Sequence, residues 1–194
     1  MTSEPLAASA PAVEATPLPL TPMAPGLVMP LACVPRDGLR VIANRGVAGI
    51  DGALSTAVGV ALAARAGDGP TVALLGDLTF LHDLTGLILG PDEPRPDLTV
   101  VVGNNDGGAI FGTLEPGEPA HAGAFERVFG TPHGTDIGGL VRAFGHRHLV
   151  VGSRAELATA LDNPGGLRVI EVRTSRTDLA QTLSRLTEAV RAAV

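Results

Sequence analysis

The segments LLGDLTFLHDL (residues 74–84) and TVVVGNNDGGAIF (residues 99–111) decide the fold of this chain. The first begins with the last two residues of the apolar run Val72–Leu75, and the second contains most of the run Leu98–Val102. Both runs are short, rich in β-branched residues and bounded by turn residues, which is typical of buried parallel strands. We therefore predict two neighbouring strands of a parallel sheet here.

A polar cluster follows each predicted strand: Gly76-Asp77 after the first and residues 104–108 (NNDGG) after the second. Ligands of parallel α/β sheets bind just beyond the carboxyl ends of the strands, so the Asp77 carboxylate and the Asn105 amide should meet. These oxygens, with a backbone carbonyl nearby, suit Mg²⁺ and a diphosphate. Either cluster alone is also explained as an ordinary turn; the ordered pair favours a metal–diphosphate site.

The spacing of Gly76-Asp77 and Asn104-Asn105-Asp106-Gly107 resembles the motif of the thiamin-diphosphate-dependent decarboxylases and synthases. The resemblance implies that Mg²⁺, with Mn²⁺ as an alternative, anchors the cofactor diphosphate. The implied metal ligands are Asp77, Asn105 and the carbonyl of Gly107. Gly76, Leu78 and Gly108 belong to the implied cofactor-binding stretches, and Leu78 departs from the commoner glycine of the family.

A second block, NRGVAGIDG (residues 44–52), leads into an apolar helix predicted over residues 53–65. Together with residues 74–90, 104–114 and FGTPH (129–133), it resembles the menaquinone-pathway branch of that family. The resemblance implies that Arg45 handles a substrate carboxylate and that Ile50 supports the cofactor in a V-shaped conformation. It also places the remaining implied site residues along the cofactor and beside its thiazolium ring: Gly49, Asp51, Ile110, Phe111 and Leu114.

The resemblance further implies an enzyme that transfers a succinyl-semialdehyde unit from 2-oxoglutarate to isochorismate with loss of carbon dioxide. The family's pyrimidine-binding domain supplies a catalytic glutamate from a neighbouring chain, and the 194 residues here have no room for that domain. We therefore expect a homodimer, or a complex with a chain that carries the missing domain. The alternative is a non-catalytic remnant or cofactor-binding module. A nicotinamide enzyme is disfavoured, because no G-x-G-x-x-G follows the first strand.

Composition limits the remaining classes of function. The chain has 45% apolar residues, enough for one ordinary domain, and only 3% aromatic residues. A net charge of −6 without a Lys/Arg run argues against nucleic-acid binding. A single cysteine, Cys33, excludes an internal disulfide and fits the reducing cytoplasm. The sequence has no apolar run long enough for a membrane span and no good signal peptide.

The domain organisation follows from the prolines. Half of the sixteen prolines fall in residues 1–35, and proline blocks both helices and central strands. We predict a disordered leader over residues 1–36 and a diphosphate-binding domain over residues 37–194. The long segment 112–129, with its prolines and glycines, is predicted to be an irregular loop that gates the site.

The alternation of strand and helix patterns predicts an α/β domain with a parallel sheet of about five strands and helices on both faces. Asp136 and Ser153 should cap two of the helices. We interpret His82 as a helix-end residue. The other predicted elements are a strand at 39–43, helices at 80–89, 136–144 and 153–161, strands at 148–151 and 167–172, and a final helix starting at 177 or 178 with the apolar stripe Leu179, Leu183, Leu186 and Val190.

Overall fold

A computed structural model of the chain describes residues 42, 44, 50–64, 70–162, 165–176 and 179–193. The predicted leader lies outside these residues, and so does the predicted strand at 39–43 except for Ile42. The domain boundary at residue 36 therefore stays a prediction. Within the described part of the chain, no helix is long and apolar enough to cross a membrane.

Four parallel strands form the sheet, in the spatial order β1-β2-β4-β3. In the chain they are β1 (Thr71–Gly76), β2 (Leu98–Asn104), β3 (Arg147–Val151) and β4 (Arg168–Arg173). The predicted parallel α/β architecture is thus confirmed, with four strands among the described residues. Gly76 pairs with Gly103, and Gly103 pairs with Val172, so β1, β2 and β4 end side by side at one edge of the sheet.

Helices cover both faces of this sheet, as predicted. One core cluster packs helices against β1, β2 and β4 around Phe80 and Ile137, and a second packs a helix against the opposite face around Ile170. Burying each such side chain stabilises the fold by roughly 1.5–3 kcal/mol. The helices are α1 (Ala53–Ala63), α2 (Asp77–His82), α3 (Ala122–Phe125), α4 (Ile137–Ala143), α5 (Arg154–Leu161) and α6 (Leu179–Ala193).

The helix predicted at 80–89 is wrong in both bounds, because α2 begins at Asp77 and ends at His82. The carboxylate of Asp83 turns away to accept hydrogen bonds from the backbone N–H (2.6 Å) and the hydroxyl (3.0 Å) of Ser55. An acidic group at this position satisfies free N–H groups in the first turn of α1. A short 3₁₀ helix, Leu84–Leu87, follows, and its Gly86 lies directly against Ser55.

The segment predicted as an irregular loop is mostly helical. It contains 3₁₀ turns at Ala109–Thr113, Glu115–Gly117 and Pro119–His121, then α3 and a π-helical turn at Glu126–Gly130. Local hydrogen bonds between residues three apart satisfy much of this backbone, which is how proline-rich connections form without strand pairing. Its gating role stays a prediction.

The predicted helix caps at Asp136 and Ser153 are both present. The Asp136 carboxylate accepts a hydrogen bond from the N–H of Gly139 (2.9 Å), and the Ser153 hydroxyl accepts one from the N–H of Glu156 (3.2 Å). In the final helix, Leu179 is buried and Leu183 is half-buried against Ala109, so α6 packs beside the segment that follows β2. The side chains of Leu186 and Val190 lie outside the described part.

A carboxylate, Glu171, lies in the middle of β4 and is only 1% exposed. Burial alone would raise the pKa of Glu171, but hydrogen bonds from Arg173, Asn104 and His148 outweigh it and hold the pKa below its ordinary value of 4.5. Because the pKa of Glu171 is lower in the folded state than in the unfolded state, its ionised form stabilises the fold. This stabilisation is complete when the pH is above the unfolded-state pKa, and it is lost as the pH falls through the folded-state pKa.

We therefore expect Glu171→Gln to lower the free energy of unfolding by about 1–2 kcal/mol at about pH 5, since charge-assisted hydrogen bonds become neutral ones. The difference from the unsubstituted protein should shrink as the pH falls below 4.5, where the carboxylate itself becomes neutral. Urea unfolding at a series of pH values down to about pH 3 measures this difference. A difference that stays constant over this range would contradict the assignment of an ionised Glu171.

Candidate functional site

The Asp77 carboxylate joins the ends of β1 and β2. Asp77 is the first residue of α2 and is 3% exposed. Its Oδ1 accepts a hydrogen bond from the N–H of Leu78 (2.7 Å), and its Oδ2 accepts from the N–H groups of Asn105 (3.1 Å) and Gly107 (2.9 Å). A carboxylate at a helix N-terminus suits both the free N–H groups and the helix dipole there. The two sequence motifs therefore meet at one point through the main chain, and the role of the Asn105 side-chain amide as a metal ligand stays a prediction.

The loop after β2 passes so close to the segment 129–131 that only glycine fits. Gly107 has φ +133°, and a Cβ there would overlap the carbonyl oxygen of Gly130. A Cβ on Gly108 would overlap the carbonyl oxygen of Phe129, and the Gly108 N–H donates to the Gly130 carbonyl at 2.8 Å. Glycine permits both the backbone conformation and the close approach. This packing fixes the loop that faces Asp77.

Asp106, between Asn105 and Gly107, adopts a left-handed conformation with φ 61°. Its Oδ1 accepts hydrogen bonds from the N–H groups of Gly134 (2.7 Å) and His133 (3.0 Å). The hydrogen bond from Gly134 is the largest effect on the pKa of Asp106, and the bonds and nearby charges together lower that pKa against the effect of burial. The ionised side chain thus holds the segment around His133 against the loop.

His133 is a site residue to which the sequence interpretation gave no role. Its Nδ1 accepts a hydrogen bond from the N–H of Thr135 (3.0 Å), so a neutral ring carries its proton on Nε2. Nε2 lies 3.4 Å from Oδ2 of Asp77. His133 also lines an open cavity of about 570 Å³, together with Glu126, Arg127, Thr131 and Pro132. His133 therefore belongs both to the wall of this cavity and to the surroundings of the Asp77 carboxylate.

Arg176 is a second residue without a role in the sequence interpretation. Its guanidinium donates to the carbonyl oxygens of Asp106 (2.6 Å) and Gly130 (3.2 Å) and to the Glu126 carboxylate (2.5 Å). It therefore ties the loop after β2 to the helical segment that ends at Gly130. Its position just beyond the end of β4, at the sheet edge where β1 and β2 also end, is the sequence signal that could have found it.

Replacing Arg176 by methionine keeps the apolar stem and removes every one of these donors. Hydrogen bonds to charged groups contribute about 1.5–3 kcal/mol each, so we expect the free energy of unfolding to fall by roughly 2–4 kcal/mol. Urea unfolding followed by circular dichroism measures the change. Arg185→Met, at an exposed position of α6, is the matched control and should have little effect. Equal unfolding midpoints for the two variants would contradict the role given to Arg176.

The three residues of the predicted apolar wall differ in their exposure. Phe111 is 36% exposed, and its ring centroid lies 5.7 Å from that of Phe129. Leu114 is 54% exposed, whereas Ile110 is half-buried and its carbonyl accepts a hydrogen bond from the Thr113 hydroxyl. Their contact with a cofactor stays a prediction.

The predicted site residues before α1 are only partly described. Arg45 and Gly49 lie outside the described residues, and the side chain of Ile50 is exposed. Asp51 is also exposed and lies 3.4 Å from Nδ1 of His82, at the opposite end of α2 from Asp77. This contact agrees with the interpretation of His82 as a helix-end residue.

The residues around Asp77 fit a hard cation. Among the described residues, no group of three His, Cys, Asp or Glu side chains could hold a metal ion. A cation at Asp77 would therefore also need oxygens of other kinds, and the Asn105 amide and the Gly107 carbonyl belong to the loop that Asp77 holds. Oδ1 of Asp77 accepts a hydrogen bond from the N–H of Leu78, and a carboxylate oxygen has a second lone pair with which to bind a cation. Mg²⁺ prefers such carboxylate, amide and carbonyl oxygens, together with phosphate.

The chain closely resembles curated enzymes over most of its length. It is 58% identical over 164 residues to the 2-succinyl-5-enolpyruvyl-6-hydroxy-3-cyclohexene-1-carboxylate (SEPHCHC) synthase of Saccharopolyspora erythraea, covering 84% of this chain and 29% of the relative. It is 57% identical over 157 residues to the enzyme of the same name from Rhodococcus opacus, covering 78% of this chain and 28% of the relative. The chain thus spans less than a third of the length of these relatives.

A solved structure, the benzoylformate decarboxylase of Polynucleobacter necessarius, is similar over 63% of this chain and 23% of its own, with a TM-score of 0.47 and 27% sequence identity. The model of the family described as "Thiamine pyrophosphate enzyme, C-terminal TPP binding domain" matches residues 31–188. That match covers most of the chain and includes both strand-end motifs around Asp77. The chain therefore belongs to the thiamine pyrophosphate enzymes and carries their C-terminal TPP binding domain.

Proposed function

We propose that this chain is the C-terminal part of a cytoplasmic SEPHCHC synthase of menaquinone biosynthesis. With thiamin diphosphate and Mg²⁺, for which Mn²⁺ can substitute, the complete enzyme transfers the succinyl-semialdehyde unit of 2-oxoglutarate to isochorismate. The observation that carries the proposal is the hydrogen bonding of the Asp77 carboxylate to the N–H groups of Asn105 and Gly107. The high identity to the curated relatives supports the choice of substrates.

The proposed roles follow from position. Asp77, Asn105 and the Gly107 carbonyl hold the cation, and the cation holds the diphosphate. Thiamin diphosphate, when bound, supplies the electron sink for loss of carbon dioxide from a 2-oxo acid. The protein contributes orientation and an apolar environment. The other proposed cofactor contacts are Gly49, Ile50, Asp51, Gly76, Leu78, Gly108 and Ile110; Arg45 binds a substrate carboxylate, and Phe111 and Leu114 line the reacting end.

His133 assists by orienting the Asp77 carboxylate. Its Nε2–H points toward Oδ2, the oxygen that also accepts from the loop after β2. With Oδ2 occupied in this way, Oδ1, which accepts from the N–H of Leu78, is the oxygen that would bind a cation. The cavity beside His133 gives a substrate access to the same region, and the Arg127 side chain in its wall is available to an anionic substrate.

The proposal includes a partner that completes the site: a second copy of the protein, or a protein that carries the pyrimidine-binding domain. Exposed apolar side chains close to the site, at Phe111, Leu114 and Val128, support a contact there. Covering them would remove apolar surface from water, which favours association.

Reconstitution tests the proposal. The chain is mixed with a separately expressed protein that contains the remaining domains of the Saccharopolyspora erythraea relative, and carbon dioxide release from 2-oxoglutarate is followed with isochorismate, thiamin diphosphate and Mg²⁺. We expect release only when both proteins are present. Cofactor binding without any release would favour the alternative, a cofactor-binding module without activity. If the chain neither binds the cofactor nor supports carbon dioxide release, both proposed functions are contradicted.

A further inference from the structure

A buried carboxylate on β4 is connected to the loop beside Asp77 by hydrogen bonds. Glu171 has apolar neighbours in its strand, Val169, Ile170 and Val172, and an apolar residue at its own position would avoid the cost of burying a charge. Packing therefore gives no reason for a glutamate here. Its hydrogen-bond partners give one.

The Glu171 carboxylate determines which way the Asn104 side chain points. Oε1 accepts from Asn104 Nδ2 and from Arg173 Nε, both at 2.8 Å, and Oε2 lies 2.9 Å from Nε2 of His148. An ionised carboxylate can only accept hydrogen bonds, so the Asn104 amide must turn its NH₂ group toward it. The carbonyl oxygen of that amide is then directed to the other side.

The oxygen of the Asn104 side chain accepts a hydrogen bond from the N–H of Asp106 at 3.0 Å. Asp106 is the residue with the left-handed backbone, between Asn105 and Gly107, and its own carboxylate holds the N–H groups of His133 and Gly134. If the Asn104 amide were reversed, its NH₂ group would face the N–H of Asp106, and the hydrogen bonds on both sides would be lost. One buried acceptor thus sets the conformation of the whole loop.

We propose that Glu171 is a positioning residue for the cofactor site, because it fixes the Asn104 amide and, through it, the turn that presents Asn105 and Gly107 to Asp77. This role rests on the proposed function of the Asp77 site. Glu171 touches neither the cofactor nor the cation; it acts through Asn104 and Asp106. Its removal should therefore loosen the loop while the sheet keeps its packing.

Two substitutions at position 171 separate this role from simple packing. Glu171→Leu fills the buried space without an acceptor. We expect amide hydrogen exchange at Asp106, His133 and Gly134, followed by NMR on the 194-residue chain, to accelerate at least about tenfold. The apparent Kd for thiamin diphosphate in the presence of Mg²⁺ should rise by about the same factor. Glu171→Gln keeps an acceptor for Asn104 and can donate to the other tautomer of His148. The exchange rates and the apparent Kd of this variant should therefore lie within about twofold of those of the unsubstituted protein.

Ile170→Val is the matched control: it shortens a buried side chain in the adjacent position of β4 and leaves Asn104 untouched. Equal loosening of the loop by Ile170→Val and Glu171→Leu would overturn the proposal, as would unchanged exchange in Glu171→Leu. If Glu171→Leu does not fold, Asn104→Ala breaks the same connection at a half-buried residue. Unchanged hydrogen exchange at Asp106 in Asn104→Ala would then overturn the proposal. Hydrogen exchange is measured without cofactor. The test of Glu171 therefore remains decisive even if the chain does not bind thiamin diphosphate and the proposed function is wrong.

Discussion

Asp77→Asn is expected to weaken the binding of thiamin diphosphate with Mg²⁺ at least about 100-fold, the loss that follows from removing one charged ligand of a cation. The substitution keeps the size of the side chain but removes its charge. It also replaces one accepting oxygen of Asp77 by an NH₂ group, which would face either the N–H donor of Leu78 or those of Asn105 and Gly107. Isothermal titration calorimetry measures the affinity, with the chain alone and with the remaining domains of the relative added.

The control for this experiment is Asp92→Asn, at an exposed position in the turn between α2 and β2. It removes the same charge from the chain and should leave the affinity unchanged. Circular dichroism confirms that both variants keep their secondary structure. If Asp77→Asn binds the cofactor as tightly as Asp92→Asn does, Asp77 is not a ligand of the cation, and the proposed metal site is wrong.

Gly107→Ala is expected to lower the free energy of unfolding by at least about 3 kcal/mol, because backbone strain and overpacking each cost roughly 1–3 kcal/mol. The φ of +133° is outside the range that alanine adopts readily, and the new Cβ would overlap the carbonyl oxygen of Gly130. The atom it meets belongs to the backbone, so no side-chain rotation can make room. Urea unfolding of the purified variant measures the loss.

Gly59→Ala is the same chemical change, but it is expected to raise the free energy of unfolding. Gly59 lies in the interior of α1, and a Cβ there would meet nothing within 4 Å. Alanine in a helix interior is more stable than glycine by about 0.5–1 kcal/mol, so this variant should unfold at a higher urea concentration. An unfolding midpoint of Gly107→Ala equal to or above that of the unsubstituted protein would show that the tight packing at Gly107 is wrong.

The meeting of Asp77 with the loop after β2 was predictable because the carboxyl ends of parallel strands share one edge of the sheet. Two apolar runs, each followed by a polar cluster, were enough to predict it. The length of α2 was not predictable in the same way. The carboxylate of Asp83, the residue directly after α2, accepts a hydrogen bond from the first turn of α1, and this contact joins residues 28 positions apart in the chain.

His133 and Glu171 show a second limit of interpretation from the sequence. A histidine after Thr-Pro is ordinary in a surface connection, and only the path of the segment 126–134 brings its ring to Asp77. Glu171 stands in a run that otherwise predicts a buried strand correctly, and its acceptor role depends on Asn104, 67 positions earlier. Neither partnership has a local pattern, since both are set by which strands become neighbours.

The hydrogen bonds into the Asp77 carboxylate from Leu78, Asn105 and Gly107 all come from main-chain nitrogen, which every amino acid except proline can supply. The identity of the side chain at position 78 is therefore of little consequence to the carboxylate, and leucine serves there as well as the glycine more common among its kin. Pattern searches for distant members of the family would lose true members by insisting on glycine at that place. A pattern that demands the acid and merely excludes proline after it would find them.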